Sequence, residues 1–134
     1  MALNAIDGLL AREFAQKSRL GAVLNEIGDV VSDTALYLPF GFLPGVSPML
    51  VALVVTLGII TEMTGVVAVQ IGAQRRYDGP FGKSDRAVFF GALGLAFAVG
   101  LTPGVWTQAL LLAAGGGAII TIIKRARGAL AEAR

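Results

Sequence analysis

Along the first 33 residues the polar positions recur at helical spacing. Asn4, Asp7, Gly8 and Ala11 fall at i, i+3, i+4 and i+7, one face of a helix. Gly21, Asn25, Asp29 and Asp33 fall at i, i+4, i+8 and i+12, a stripe on a second helix. If the two helices pair, the stripes enclose an oxygen-lined pocket with small residues beside it. Beyond Asp33 the pattern changes. No charged residue occurs between positions 34 and 61, nor between 87 and 123. A bilayer-spanning helix needs about 20 mainly apolar residues. The first run holds more than one such span, and the second holds two short ones.

These patterns predict the elements in order. Residues 2–19 form a helix too short and too polar to cross by itself, read as the cytoplasmic end of a longer span cut at its front. A helix over 20–40 leaves the cytoplasm and carries Asn25, Glu26, Asp29 and Asp33 in its first two-thirds. Pro39, Gly41, Pro44, Gly45 and Pro48 mark an outer connection. A span over 49–73 returns, with Glu62 near its middle. The inner loop 75–86 is rich in turn residues, and Ser84 or Asp85 is placed to cap the next helix. Residues 87–101 go out, Thr102-Pro103-Gly104 turns, and 105–123 come back. An Ala-rich basic tail lets the last helix continue into water. The apolar runs are continuous, without strand-like alternation, which argues against a β-barrel. The expected fold is all-α: a polytopic integral membrane helical bundle of about five helices, the N-terminal one partial, forming a single membrane domain over 1–134.

Composition agrees. Of 134 residues, 55% are hydrophobic, and the mean hydropathy of +0.74 is too high for an ordinary soluble domain. The eleven Lys and Arg fall in three clusters: Arg12, Lys17, Arg19; Arg75, Arg76, Lys83, Arg86; and Lys124, Arg125, Arg127, Arg134. The positive-inside rule puts all three in the cytoplasm. A basic fringe of this kind is a membrane-protein feature, so no nucleic-acid partner is expected despite a pI near 9.4. Asp7 and Arg12 interrupt what would be the apolar core of a cleavable signal peptide. There is no cysteine and no histidine. That excludes thiol nucleophiles, zinc–thiolate sites, Ser-His-Asp triads and HExxH zinc sites. Carboxylate and amide oxygens remain, and these suit Mg²⁺, Mn²⁺ or Ca²⁺.

Acids inside spanning segments cost about 2.5–3.5 kcal/mol each and are rarely idle. Glu62 stands alone, so pairing with a basic side chain or with a helix end and a site role are all open. The stripe at the front is more specific. The chain reads Asn4-x2-Asp7-Gly8-x2-Ala11-Arg12-x8-Gly21-x3-Asn25-x3-Asp29. This resembles the D-x2-D-G-x2-A-R-x8-G-x3-D-x3-D pattern of CDP-alcohol phosphatidyltransferases. Every spacing matches, as do six of the eight fixed identities. The layout of the remaining spans and the inner loop is also similar, while the family's upstream first span is missing.

The resemblance implies transfer of a phosphoalcohol from a CDP-linked donor to the hydroxyl of an acceptor alcohol or lipid, with release of CMP. It implies two divalent cations, Mg²⁺ or Mn²⁺, held at the cytoplasmic face of the inner membrane, and a possible homodimer. Asp7 becomes a metal ligand, and Asp29 a metal ligand or the base that deprotonates the acceptor. Asn4 and Asn25 replace the family's first and third aspartates. An amide oxygen can bind such cations but brings no charge. Asp33, one turn beyond Asp29 on the same stripe, is the better substitute ligand, whereas Glu26 is rotated about 100° from Asn25. Gly8, Ala11, Arg12 and Gly21 are expected beside the nucleotide, and Lys83 and Arg86 near a headgroup or the acceptor. Two other readings stand beside this one: a non-catalytic relative that binds nucleotide or headgroup or acts as a scaffold, and an ion-coupled transport subunit. The matched Gly, Ala and Arg positions weigh against the second, since transport does not require them.

Overall fold

The computed structural model describes residues 19–134. These carry four α-helices: α1 (Arg19–Tyr37), α2 (Pro48–Gln70), α3 (Lys83–Ala98) and α4 (Val105–Glu132), with a 3₁₀ turn at Leu38–Phe42 after α1. The expected helix over 2–19 lies outside the described residues. The chain divides into two compact units, Met1–Ser32 and Asp33–Arg134. The described part of the first is the stretch of α1 from Arg19 to Ser32.

In the second unit, α2 and α4 form the longest contact between elements. Each presents a stripe of small residues. On α2 the buried positions are Val51, Val54, Val55, Gly58, Thr61, Glu62, Gly65 and Ala68; on α4 they are Thr107, Leu111, Ala114, Gly115, Ala118, Thr121, Arg125 and Ala129. Steps of three and four keep each set on one face, and small side chains let the backbones approach. The apolar core joins Val51, Val54, Val55, Leu111 and Ala114 to Tyr37, Val46, Phe90 and Leu93. α3 docks through rings. Phe90 stacks on Tyr37 at 4.3 Å between centroids, and Phe40 and Phe89 each lie 5.2 Å from it.

The outward faces stay apolar: Leu53, Met63, Leu95, Val99, Leu112, Ile119 and Ile120 are all exposed. α2 and α4 are long and apolar enough to cross a bilayer, with mean hydropathies of 2.2 and 1.6 over their best windows. α1 carries three carboxylates and α3 has only 16 residues. The architecture is that of an all-α membrane bundle with an apolar outer surface.

The helix ends differ by a few residues from the sequence reading. Pro48 sits in the first turn of α2 because Ser47 caps it, its hydroxyl accepting from the Leu50 N–H at 3.3 Å. α3 begins at Lys83, so neither Ser84 nor Asp85 is its N-cap. Asp85 instead reaches back one turn and accepts the Gly82 N–H at 2.8 Å. α4 runs to Glu132, carrying the basic tail as helix.

The inner loop, residues 71–82, is strapped to α4. The Phe81 N–H donates to Thr121 Oγ1 at 2.9 Å, and the Gln74 N–H to Glu132 Oε1 at 3.0 Å. Gly79 sits at φ +128°, and a Cβ there would lie 2.8 Å from both Cβ and Oγ1 of Thr121. Only glycine meets both demands. Arg76 bonds Asp78 at 2.9 Å and Glu132 at 3.1 Å. Burial alone would raise the Asp78 carboxyl, but the hydrogen bond and charge of Arg76 outweigh it and hold Asp78 below the usual carboxylate value. At the other end of α2 and α4 Gln108 joins the two connections, donating to Gly45 O at 2.8 Å and accepting from the Ser47 N–H at 3.3 Å.

Candidate functional site

The sequence stripe ends in two different settings. Asn4, Asp7, Gly8, Ala11 and Arg12 lie outside the described residues. Gly21, Asn25 and Asp29 are on α1 within the first unit, and the backbone carbonyl of Asp29 accepts from Ser32 Oγ at 3.1 Å. Four-residue spacing keeps Asn25 and Asp29 on one helix face. Their amide and carboxylate oxygens are hard donors that suit Mg²⁺ or Mn²⁺. Among the described residues no cluster of three or more acidic side chains could hold a metal ion.

Asp33 belongs to the second unit and joins a buried ionic cluster. Its Oδ2 accepts from Arg86 Nη2 at 3.1 Å. The same nitrogen donates to Glu62 Oε1, also at 3.1 Å. Glu62 Oε2 is 3.5 Å from Arg75 Nη2, and Glu62 Oε1 is 3.7 Å from Arg125 Nη1. One carboxylate thus serves three guanidinium groups. Glu62 pairs with basic side chains, one of the alternatives its isolation left open. Counting formal charges, Arg75, Arg86 and Arg125 contribute +3 and Asp33 and Glu62 contribute −2, leaving +1.

Each arginine is held differently. Arg125 spends its donors on backbone: Nη1 to Thr61 O at 2.7 Å, Nε to Asp78 O at 3.1 Å and Nη2 to Tyr77 O at 3.3 Å. It is a clamp between α4, α2 and the inner loop. Arg75 is partly exposed and lies over the Tyr77 ring at 4.9 Å. Arg86 is 2% exposed, and its stem lies against Gly58, where a Cβ would meet its Cδ and Nε at 3.0 Å. Both neighbouring carboxylates bond its Nη2. Its buried Nη1 has no hydrogen-bond partner among the described residues. An orphaned guanidinium donor in a buried site of net positive charge is what an anionic oxygen would satisfy.

Lys83, the other basic residue singled out from sequence, starts α3 one turn before Arg86. Glu62 and Arg125 had weaker signals in the sequence. Glu62 is in phase with Val51, Val55 and Gly58, and Arg125 with Ala114, Ala118 and Thr121. Charges in step with a small-residue stripe point inward, and that periodicity was the available clue.

Comparisons with known proteins place this geometry in context. The family profile described as CDP-alcohol phosphatidyltransferase matches residues 1–122. "Inner membrane protein YnbA" of Escherichia coli (strain K12) is 60% identical over 99 residues, 74% of this chain. The chain spans about half the length of that curated relative, 49%. No solved structure matches. The matched region takes in the spaced motif, α1 to α3, the inner loop and most of α4: the chain belongs to the CDP-alcohol phosphatidyltransferase family.

Proposed function

We propose that the chain transfers a phosphoalcohol group from a CDP-alcohol to an acceptor hydroxyl and releases CMP, at the cytoplasmic face of the inner membrane. The observation that carries this reading is the family match over 1–122, which includes the Asn4-to-Asp29 motif with every spacing kept. Asn4, Asp7, Asn25 and Asp29 are the residues that would hold divalent cations. Such cations, when bound, neutralise the donor's diphosphate and steady the departing CMP. Gly8, Ala11 and Gly21 leave room beside the nucleotide, and Arg12 offsets phosphate charge. Asp29 accepts the proton of the attacking hydroxyl. The acceptor oxygen then bonds to the phosphorus bearing the alcohol, and the bond from that phosphorus to the bridging oxygen breaks. CMP leaves with the bonding pair, so no oxidant or reductant is required.

The ionic cluster suggests the nature of one substrate end. A buried site of formal charge +1 with an open Arg86 Nη1 favours an anionic oxygen, such as a phosphate on the acceptor or on a lipid headgroup. Lys83 would lie at the mouth of that site. A cytoplasmic orientation is supported by the three basic clusters.

The two asparagines favour one further reading, a relative that binds the nucleotide without turning it over. Replacing two of four carboxylates removes charge that two divalent cations need. The test is a screen of CDP-alcohols in mixed micelles with Mg²⁺ or Mn²⁺. Metal-dependent CMP release that falls at least a hundredfold in Asp29→Asn is the expected result. CDP binding by the wild type with no CMP release under any donor would favour the non-catalytic reading.

A further inference from the structure

The motif's stripe runs on from Asp29 to Asp33, and spacing alone makes Asp33 a substitute for the carboxylates lost at Asn4 and Asn25. The side-chain geometry points elsewhere. We propose that Asp33 is the counter-ion of Arg86 and sets the affinity of the anion-binding cluster, and is not a ligand of the cations. This rests on the reading that the cluster takes an anionic oxygen.

Three observations carry it. The Asp33 carboxylate is 3.1 Å from Arg86 Nη2. The Arg86 side chain is 3% exposed, so removing a counter-ion from it is costly, and a cation that drew Asp33 away would do so. Glu62 bonds the same nitrogen at the same distance and is itself the more buried carboxylate, at 10% against 16% for Asp33. Glu62 therefore fixes the guanidinium whether or not Asp33 is charged. Asp33 is the more exposed of the two carboxylates, and its charge repels any anion approaching Nη1. Its charge holds the cluster at +1 where it would otherwise be +2. The residue is thus a specificity-determining neighbour of the binding group. It keeps weakly charged oxygens out and leaves the cluster to ligands that compete well for Arg86.

Binding alone tests this, without turnover. Inorganic phosphate affinity is measured by calorimetry on the purified full chain in micelles, and Mn²⁺ affinity by the loss of the free-ion paramagnetic signal. Asp33→Asn keeps an oxygen acceptor for Arg86 and removes the charge. It is expected to bind phosphate at least threefold more tightly, with Mn²⁺ affinity unchanged within threefold. Asp33→Glu, which keeps the charge, is expected to lack the gain in phosphate affinity seen in Asp33→Asn. A loss of Mn²⁺ affinity beyond threefold in Asp33→Asn would overturn the proposal and make Asp33 a cation ligand. So would phosphate affinity that is unchanged or weaker. If the wild type binds phosphate no better than Arg86→Met, the anion site fails and the inference with it. CMP release, measured separately, would still stand or fall by Asp29.

Discussion

Arg125 offers the most direct test of how the inner loop is held. Its guanidinium is almost fully buried and donates to three carbonyls, of Thr61, Tyr77 and Asp78. Replacing it with methionine fills the volume of the stem and removes all three bonds. A hydrogen bond to a charged group is worth about 1.5–3 kcal/mol. Three bonds from one planar group are not independent, and water reaches the loop carbonyls once the clamp is gone. Glu62 also keeps Arg75 and Arg86 as partners, so no carboxylate is orphaned. The expected loss is therefore about 3–5 kcal/mol, below the simple sum. Arg125→Lys keeps the charge but loses the planar fork, so about half that loss is expected. Reversible unfolding in mixed micelles measures the loss, and limited proteolysis reports whether 71–82 has come away from α4. A methionine variant within about 1 kcal/mol of wild type, with an equally protected loop, would refute the clamp.

Two further outcomes follow from the same loop. Gly79→Ala combines a φ of +128° with a Cβ pressed on Thr121, so a loss of about 2 kcal/mol or more is expected in the same unfolding assay. Thr121→Ala in that background should restore only part of it, because the backbone strain remains. Against the pull of burial, Asp78 titrates below its ordinary, unfolded value because of its bond to and the charge of Arg76. The stability it supplies is complete above that value and lost as pH falls through the folded one. Since its side chain is 44% exposed, the effect is small, about 0.2–1 kcal/mol. Melting temperature followed from pH 6 down to the acid limb should fall less steeply in Asp78→Asn; parallel curves would contradict the assignment.

Much of the fold was legible because its signals are long and local. Uncharged runs of membrane length gave α2 and α4, and Pro39 to Pro48 gave the outer break. The helix starts were less legible. Gly82 has no side chain to advertise a cap, and the bond it donates to Asp85 is made by its backbone N–H. The motif was read from spacing, which fixes shared helix faces but not partners. Spacing put Asp33 with Asp29, and the fold gives its carboxylate to Arg86, 53 positions away. Glu62 and Arg125 carried the right phase, but no local rule says that one carboxylate will gather three arginines from separate elements.

The shortness of α3 has a consequence for the surrounding bilayer. Sixteen residues reach about 24 Å, against about 30 Å of hydrocarbon. α3 is tied to α4 at both ends, by the 99–104 turn outside and by the bond from Phe81 to Thr121 inside. Tilting shortens a helix's reach along the bilayer normal, so it cannot make up the difference for α3. Where α3 crosses a bilayer, the lipid would meet the deficit by compressing beside this hairpin, at fractions of a kcal/mol per Å. Such a dimple would bring water and headgroups towards the end of α3 that carries Arg86, so a polar reactant would travel a shorter way through oil to reach it.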